Sequence, residues 1–290
     1  MFLWDDVGET RIRFGEGGEG RAHGVDWASA GLAALLDACT VPIAIHDHAR
    51  AGILGTGTLL KCGERLVLLT AAHLFEGATS NGHSSSGNWL IPERASGQLL
   101  SLEGAHVHVI GGADIALVDL ARATARPRLL RGRVALPGRL ALRSRLAARR
   151  RNQRTTTRIA TYCLAGYPAA WSRFERGYLA AKRLTITTQT ARRRDDGADS
   201  GSGACADEHA PERLGDLRCI YGRIAERNDG TVIHTPALEG MSGAAIWEIG
   251  EIERSNSAAA MHLAGVQSSF LHSRYLRGDA ARSCELFFCS

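Results

Sequence analysis

Three residues of this chain are placed to do chemistry together: a serine between glycines, a histidine closing an apolar run, and an aspartate opening another. Ser242 lies in Gly240-Met-Ser-Gly243, ahead of an apolar segment, residues 244–247, that reads as a buried strand. Glycines around a serine let the backbone turn sharply and let successive N–H groups face a small anion. An acyl-transfer nucleophile needs that setting beside it. His73 ends Leu66-Val-Leu-Leu-Thr-Ala-Ala-His73, where a strand stops in small residues, which would hold the ring with its far nitrogen toward a cleft. Asp114 precedes Ile115-Ala-Leu-Val118; a carboxylate drawn to the edge of a core needs a donor, and an imidazole N–H is a good one. Asp119, at the exposed far end of the same segment, is the weaker choice. Each residue also has a plainer reading, as a loop serine, a core histidine or a surface acid. Their occurrence as a set decides against those readings.

Such residues need strands to position them. Gly55-Thr-Gly-Thr-Leu-Leu60 and the run ending at His73 read as a hairpin, with Thr40-Val-Pro-Ile-Ala-Ile-His46 as the strand before it. His46 and His48 share one face of that strand, and without a third ligand nearby they read as surface histidines rather than a metal site. Ala105-His-Val-His-Val-Ile110 alternates as a further strand, as do residues 179–190 and 217–225. A helix is expected from Asp26, which can cap it, with Ala28, Leu32, Leu35, Leu36 and Cys39 on one face. Residues 1–25 read as loose, 77–101 as surface loop, and 192–216 as a polar, low-complexity insertion. Ser202, inside that insertion, is therefore a poor rival to Ser242.

The chain is long enough, at 290 residues, to bury a large core, and its 33 glycines suit short strands joined by turns. No apolar stretch is long enough to span a bilayer, and Met1-Phe-Leu-Trp-Asp-Asp lacks the basic start of a secretory signal; a cytoplasmic protein with no membrane contact is the expectation. Seven cysteines, odd in number and with no Cys-x-x-Cys pair, read as free thiols in a reducing compartment. The net charge of +5 is unevenly spread: residues 122–158 hold thirteen arginines and no acid. Such a block is expected to be solvated, outside the core. It could meet nucleic acid or an acidic partner, but no aromatic residue is interleaved to stack a base, which favours a connector.

Thr70-Ala-Ala-His73, Ala113-Asp-Ile-Ala-Leu117 and Gly240-Met-Ser-Gly243 together resemble the His, Asp and Ser motifs of the chymotrypsin-like (trypsin-like) serine proteases, in that family's order along the chain. Gly55-Thr-Gly-Thr-Leu-Leu60 is similar to the strand before the family's histidine, and Ala264-Gly-Val-Gln-Ser-Ser269 to the strand after its serine. The resemblance implies an all-β fold of two six-stranded Greek-key β-barrels with a short N-terminal helix here. Its domains would be an N-terminal extension (1–40), a first barrel (41–125), an arginine-rich connector (126–158) and a second barrel (159–290). It implies a serine endopeptidase acting on protein or peptide substrates, with no metal and no organic cofactor. Ser242 would be the nucleophile, His73 the general base, Asp114 its orienting partner, and the N–H groups of Gly240 and Ser242 the oxyanion hole. Thr235 and Pro236 would lie near the floor of the specificity pocket, and Gln267, Ser268, Ser269 and Phe270 along its wall, favouring a small or uncharged residue before the cut. Met241 replaces the acid that secreted members pair with a newly cut N-terminus, so activation by such a cut is not expected. The alternative is a protease-fold binding module, its arginine-rich segment 122–158 docking nucleic acid or a partner protein. An esterase is compatible with the same residues.

Overall fold

A computed structural model describes residues 10–13, 30–46, 51–75, 89–123, 126–138, 161–175, 178–190, 216–227, 231–249, 261–271 and 275–280. Among these, β1 (Thr10–Arg13) and α1 (Ala30–Cys39) precede a first set of strands: β2 (Thr40–His46), β3 (Ala51–Cys62), β4 (Arg65–Thr70), β5 (Trp89–Pro92), β6 (Leu99–Ser101), β7 (His106–Val109) and β8 (Ala116–Asp119). The short α2 (Arg126–Leu129) and β9 (Leu136–Pro137) follow. The second set is β10 (Thr161–Gly166), β11 (Ser172–Glu175), β12 (Tyr178–Ala181), β13 (Leu184–Gln189), β14 (Asp216–Ile220), β15 (Ile224–Arg227), β16 (Val232–His234), β17 (Ala245–Ile249), β18 (Met261–Leu271) and β19 (Tyr275–Ala280).

The first sheet runs β6-β5-β2-β3-β4-β8-β7. Its two end strands, β6 and β7, are consecutive in the chain and separated only by residues 102–105, so the path returns on itself. Counted as one interrupted strand, they complete a ring of six. Strand β5 lies beside β2 after the β2-β3-β4 meander, which is the Greek-key order. Val41, Ile43, Leu59, Leu68, Ile91, Leu100 and Val118, drawn from all round this path, share one buried core. A flat sheet could not bring them together.

The second sheet repeats the plan. Six of its nine strands run β14-β19-β18-β17-β10-β13, with β1, β15 and β16 continuing the sheet past β13, and a bridge between Thr190 and Cys219 joins the end of β13 back to β14. Both rings therefore connect first, second, third, sixth, fifth and fourth strand in that order. The fold is all-β, a double β-barrel. The second core gathers Leu164, Ile186, Tyr221, Leu238, Met241, Ile246 and Leu276.

A third cluster fills the seam between the barrels, with Leu69, Ile115 and Leu117 from the first and Ala165, Trp247, Leu263 and Val266 from the second. Helix α1 joins it through Leu32, Leu36 and Cys39, the face its apolar spacing predicts; Asp26 lies outside the described residues. Burying two leucines contributes roughly 3–6 kcal/mol to holding the helix there.

Three local readings change. Strand β1 falls within residues 1–25, read as loose, and pairs parallel to β13 and antiparallel to β15. Strands β5 and β6 fall within residues 77–101, read as loop. Trp89 and Ile91 are buried there, with the Trp89 ring edge-on to Phe75 at 4.4 Å. The arginine block is not wholly solvated. Arg133 is only 8% exposed, its guanidinium donating to the carbonyls of Thr40 (3.0 Å) and Pro92 (3.1 Å). Those carbonyls, just past the end of α1 and at the end of β5, need donors, and one rigid fork meets both. Arg128 binds Glu93 at 3.0 Å, and its guanidinium together with the Ser96 hydroxyl holds the Glu93 carboxyl down at about 2. The arginines at 139–158, His48 and Ser202 lie outside the described residues. No helix among the described residues is long and apolar enough to cross a membrane.

Candidate active site

His73 sits on a 3₁₀ turn (Ala72–Phe75) directly after β4. Buried Ala71 and Ala72 leave room for the turn, and Phe75, sunk in the first core, pins its far side. Asp114 is on the turn between β7 and β8, anchored by the fully buried Ile115. The two meet at two points: the His73 backbone N–H donates to Asp114 Oδ1 at 2.8 Å, and ring Nδ1 lies 2.6 Å from Oδ2. An ionised carboxylate only accepts, which puts the proton on Nδ1 and the lone pair of the neutral ring on Nε2. Burial by itself would raise the Asp114 carboxyl. The hydrogen bonds from the His73 ring and from the backbone N–H groups of His73 and Ala72, with the ring's charge, outweigh it and hold the carboxyl below its ordinary range.

The serine comes from the other barrel, on the turn before β17. Gly240 and Gly243 have φ of +88° and +92°, a region other residues rarely enter. Between them Met241 points inward, fully buried in the second core. The carbonyls of the turn are each held: Glu239 by the Ala169 N–H (2.6 Å), Gly240 by the Thr56 hydroxyl (2.9 Å), Met241 by the Ala244 N–H (2.9 Å) and Ser242 by the Thr56 N–H (2.8 Å). A trans peptide points its N–H opposite its carbonyl, so the Gly240 and Ser242 N–H groups are directed away from those partners. Among the described residues no backbone carbonyl takes either of them.

Thr56 stitches the two halves together. Besides holding Gly240 and Ser242, its hydroxyl accepts the Tyr167 N–H at 3.1 Å and its carbonyl accepts the Thr70 hydroxyl at 2.7 Å. Thr70 is three residues before His73. Gly243 in turn lies so close that a Cβ there would overlap Thr70 Oγ1 and Thr56 O. The serine turn thus rests on the strand end that carries the histidine. Sequence reasoning missed Thr56, although its place between Gly55 and Gly57 inside a strand marks a close backbone approach.

The expected pocket residues divide into two groups. Gln267 flanks the serine turn: its carbonyl accepts the Gly243 N–H (2.8 Å) and its N–H donates to Ala244 O (2.9 Å). Its side chain is fully buried, with Nε2 donating to Ser269 O at 3.1 Å and Oε1 without a partner among the described residues. Ser268 is half-buried, Ser269 exposed, and Phe270 packs on the second core opposite the buried Leu276. Thr235 is buried and Pro236 half-buried. The Thr235 hydroxyl is committed to Gly222 O (2.7 Å), and Pro236 O accepts the Tyr221 hydroxyl. Burial pushes the thiols of Cys39 and Cys219 up to about 12 and that of Cys62 to about 11, which leaves none of these three as a nucleophile at neutral pH. His46 stacks on Phe174 at 4.6 Å, and no group of three or more His, Cys, Asp or Glu among the described residues is placed to hold a metal ion.

The fold and site define an all-β protein of two barrels, with a His–Asp pair on one and a glycine-flanked serine turn from the other set against it. No protein-family model matches the sequence, and no curated protein does. Among solved structures the chain is similar to a thermostable serine protease, AL20, from an extremophilic microorganism, at 11% identity over 84% of this chain and 91% of that one, with a TM-score of 0.46.

Proposed function

We propose that the protein is a serine endopeptidase. What carries the reading is the two-point grip of Asp114 on His73, with the Ser242 turn seated on the same strand end. Ser242 attacks a peptide carbonyl; Nε2 of His73 takes the hydroxyl proton and returns it to the leaving amine. Asp114 keeps the ring in that tautomer and stabilises the imidazolium without taking the proton. The N–H groups of Gly240 and Ser242 receive the oxyanion. A fluorophosphonate probe should label the wild-type protein and fail to label Ser242→Ala. Labelling that survives the substitution would overturn the assignment. Salt-sensitive nucleic-acid binding without any labelling would instead favour a binding module working through its arginines.

Substrate preference follows from Gln267. A buried amide oxygen without a donor is costly, and a substrate side chain that displaces its cover on binding and brings an N–H or O–H would satisfy it. Phe270, three residues on, is half-buried on the second core opposite Leu276 and adds bulk to the expected wall. A peptide library should therefore show small uncharged donors (Asn, Gln, Ser, Thr) before the cut. Gln267→Leu should erode that preference by about tenfold or more. Dominant cleavage after Lys, Arg or Phe would contradict it.

A further inference from the structure

Asp279 is a buried carboxylate that the proposed mechanism does not use. It lies on β19, only 7% exposed, and its Oδ2 accepts the backbone N–H of Asp114 at 3.2 Å across the seam between the barrels. The face it occupies is settled by the ladder. Val266, directly opposite on β18, belongs to the seam cluster with Ile115, and directly opposed residues project to the same side. Burying an acid in that position costs free energy that an aliphatic residue would not. The backbone N–H of Asp114, on the other barrel, is a donor that such a carboxylate meets.

We propose that Asp279 is a positioning residue of this site, an inference that rests on the peptidase reading above. Asp114 is held at two ends: its carboxylate grips His73 on the first barrel, and its backbone is held by the second. The second barrel also carries Ser242. Asp279 therefore fixes the Asp114–His73 pair relative to the barrel that supplies the nucleophile, which the sequence leaves 128 residues further along the chain. A misplacement of about 1 Å there is enough to cost two orders of magnitude in rate. The second effect is electrostatic. One more negative charge behind Asp114 favours the imidazolium that forms as Ser242 loses its proton.

Among the described residues, the charged groups set against Asp279 are Asp114, whose N–H it accepts, Asp216 of β14 in register with it, Arg277 two residues back on its own strand, and Arg218, opposite Arg277 on β14. All of these stay in place in a variant at 279, and a difference between variants isolates the one carboxylate.

The experiment compares Asp279→Asn, Asp279→Glu and Asp279→Ala with the wild type, using kcat and KM on a cleaved peptide across pH and circular dichroism to check folding. Asn keeps an acceptor for the Asp114 N–H and loses the charge. Its acid limb in kcat/KM should move to lower pH by about half a unit, because a less favoured imidazolium leaves the neutral base at lower pH. Asp279→Ala loses both functions, and kcat should fall tenfold or more (roughly the cost of an off-target geometry) with KM unchanged, since the residue touches no substrate. Asp279→Glu should keep the limb where the wild type has it. An Asp279→Asn profile that superimposes on the wild type, or an effect of Asp279→Ala confined to thermal stability, overturns the proposal. A wild-type protein that fluorophosphonate does not label overturns the peptidase reading beneath it, a result seen before any variant at 279 is made.

Discussion

Asp114→Asn should lower kcat/KM about 10⁴-fold, the loss known for this change in Ser–His–Asp triads, while the protein still folds. Here the hydrogen bonding itself forces the outcome. Asp114 offers two acceptors, and His73 uses both, one for its backbone N–H at 2.8 Å and one for Nδ1 at 2.6 Å. An asparagine has a single acceptor oxygen. The His73 backbone N–H can only donate, which claims that oxygen and turns the amide NH₂ toward Nδ1. Nδ1 must then accept, the proton moves to Nε2, and the ring can no longer serve as the base proposed for Ser242. The same substitution should flatten part of the pH dependence of stability. Because the Asp114 carboxyl is held below its ordinary range, its contribution is present above the unfolded carboxylate pKa and is lost as pH falls through the lower, folded value. Rates of fluorophosphonate labelling measure the first effect and acid unfolding curves the second. A loss of less than tenfold would mean that His73 does not depend on this partner for its tautomer.

The pairing of His73 with Asp114 and the glycine-flanked turn at Ser242 were legible because each residue marks a place where an apolar run meets a small or polar residue, a local signal that survives without knowledge of the fold. The two barrels were legible for a related reason, since strands such as β3, β4 and β8 carry their burial in their own composition. Strand β5 did not. Four residues, Trp89-Leu-Ile-Pro92, are too few for an alternation to register against the Gly, Ser and Asn that precede them, and only the first core gives them a reason to be buried. Arg133 and Asp279 were hidden more deeply. Nothing near Arg133 in sequence asks for a buried charge, Asp279 has Arg277 two residues away, and the backbone groups that bind the two side chains lie 93, 41 and 165 positions away in the chain. Charge statistics place such residues outside; long-range hydrogen bonding brings them in. Thr56 falls between these cases. Its flanking glycines announce a close approach, yet what approaches is a turn from the other barrel, which no local pattern identifies.

That approach is the basis of the second large effect. Gly243→Ala should destabilise the protein by about 3–5 kcal/mol, combining the cost of a side chain at positive φ with that of overpacking. At φ +92° the new Cβ would overlap Thr70 Oγ1 and Thr56 O and lie 2.9 Å from Ala71 N. These are buried atoms fixed by other bonds: the Thr70 hydroxyl already donates to Thr56 O, and both strands pair on either side. The least costly relief is a displacement of the serine turn away from the histidine turn, so labelling by fluorophosphonate should fall about a hundredfold even in the fraction that remains folded. Gly52→Ala is the matched control on β3, with nothing within 4 Å of the added carbon and an expected change within about 0.5 kcal/mol. Urea denaturation of the two variants side by side reads the difference. Equal tolerance of both substitutions would place the serine turn away from Thr70, and the proximity that the proposed pairing of Ser242 with His73 requires would be lost with it.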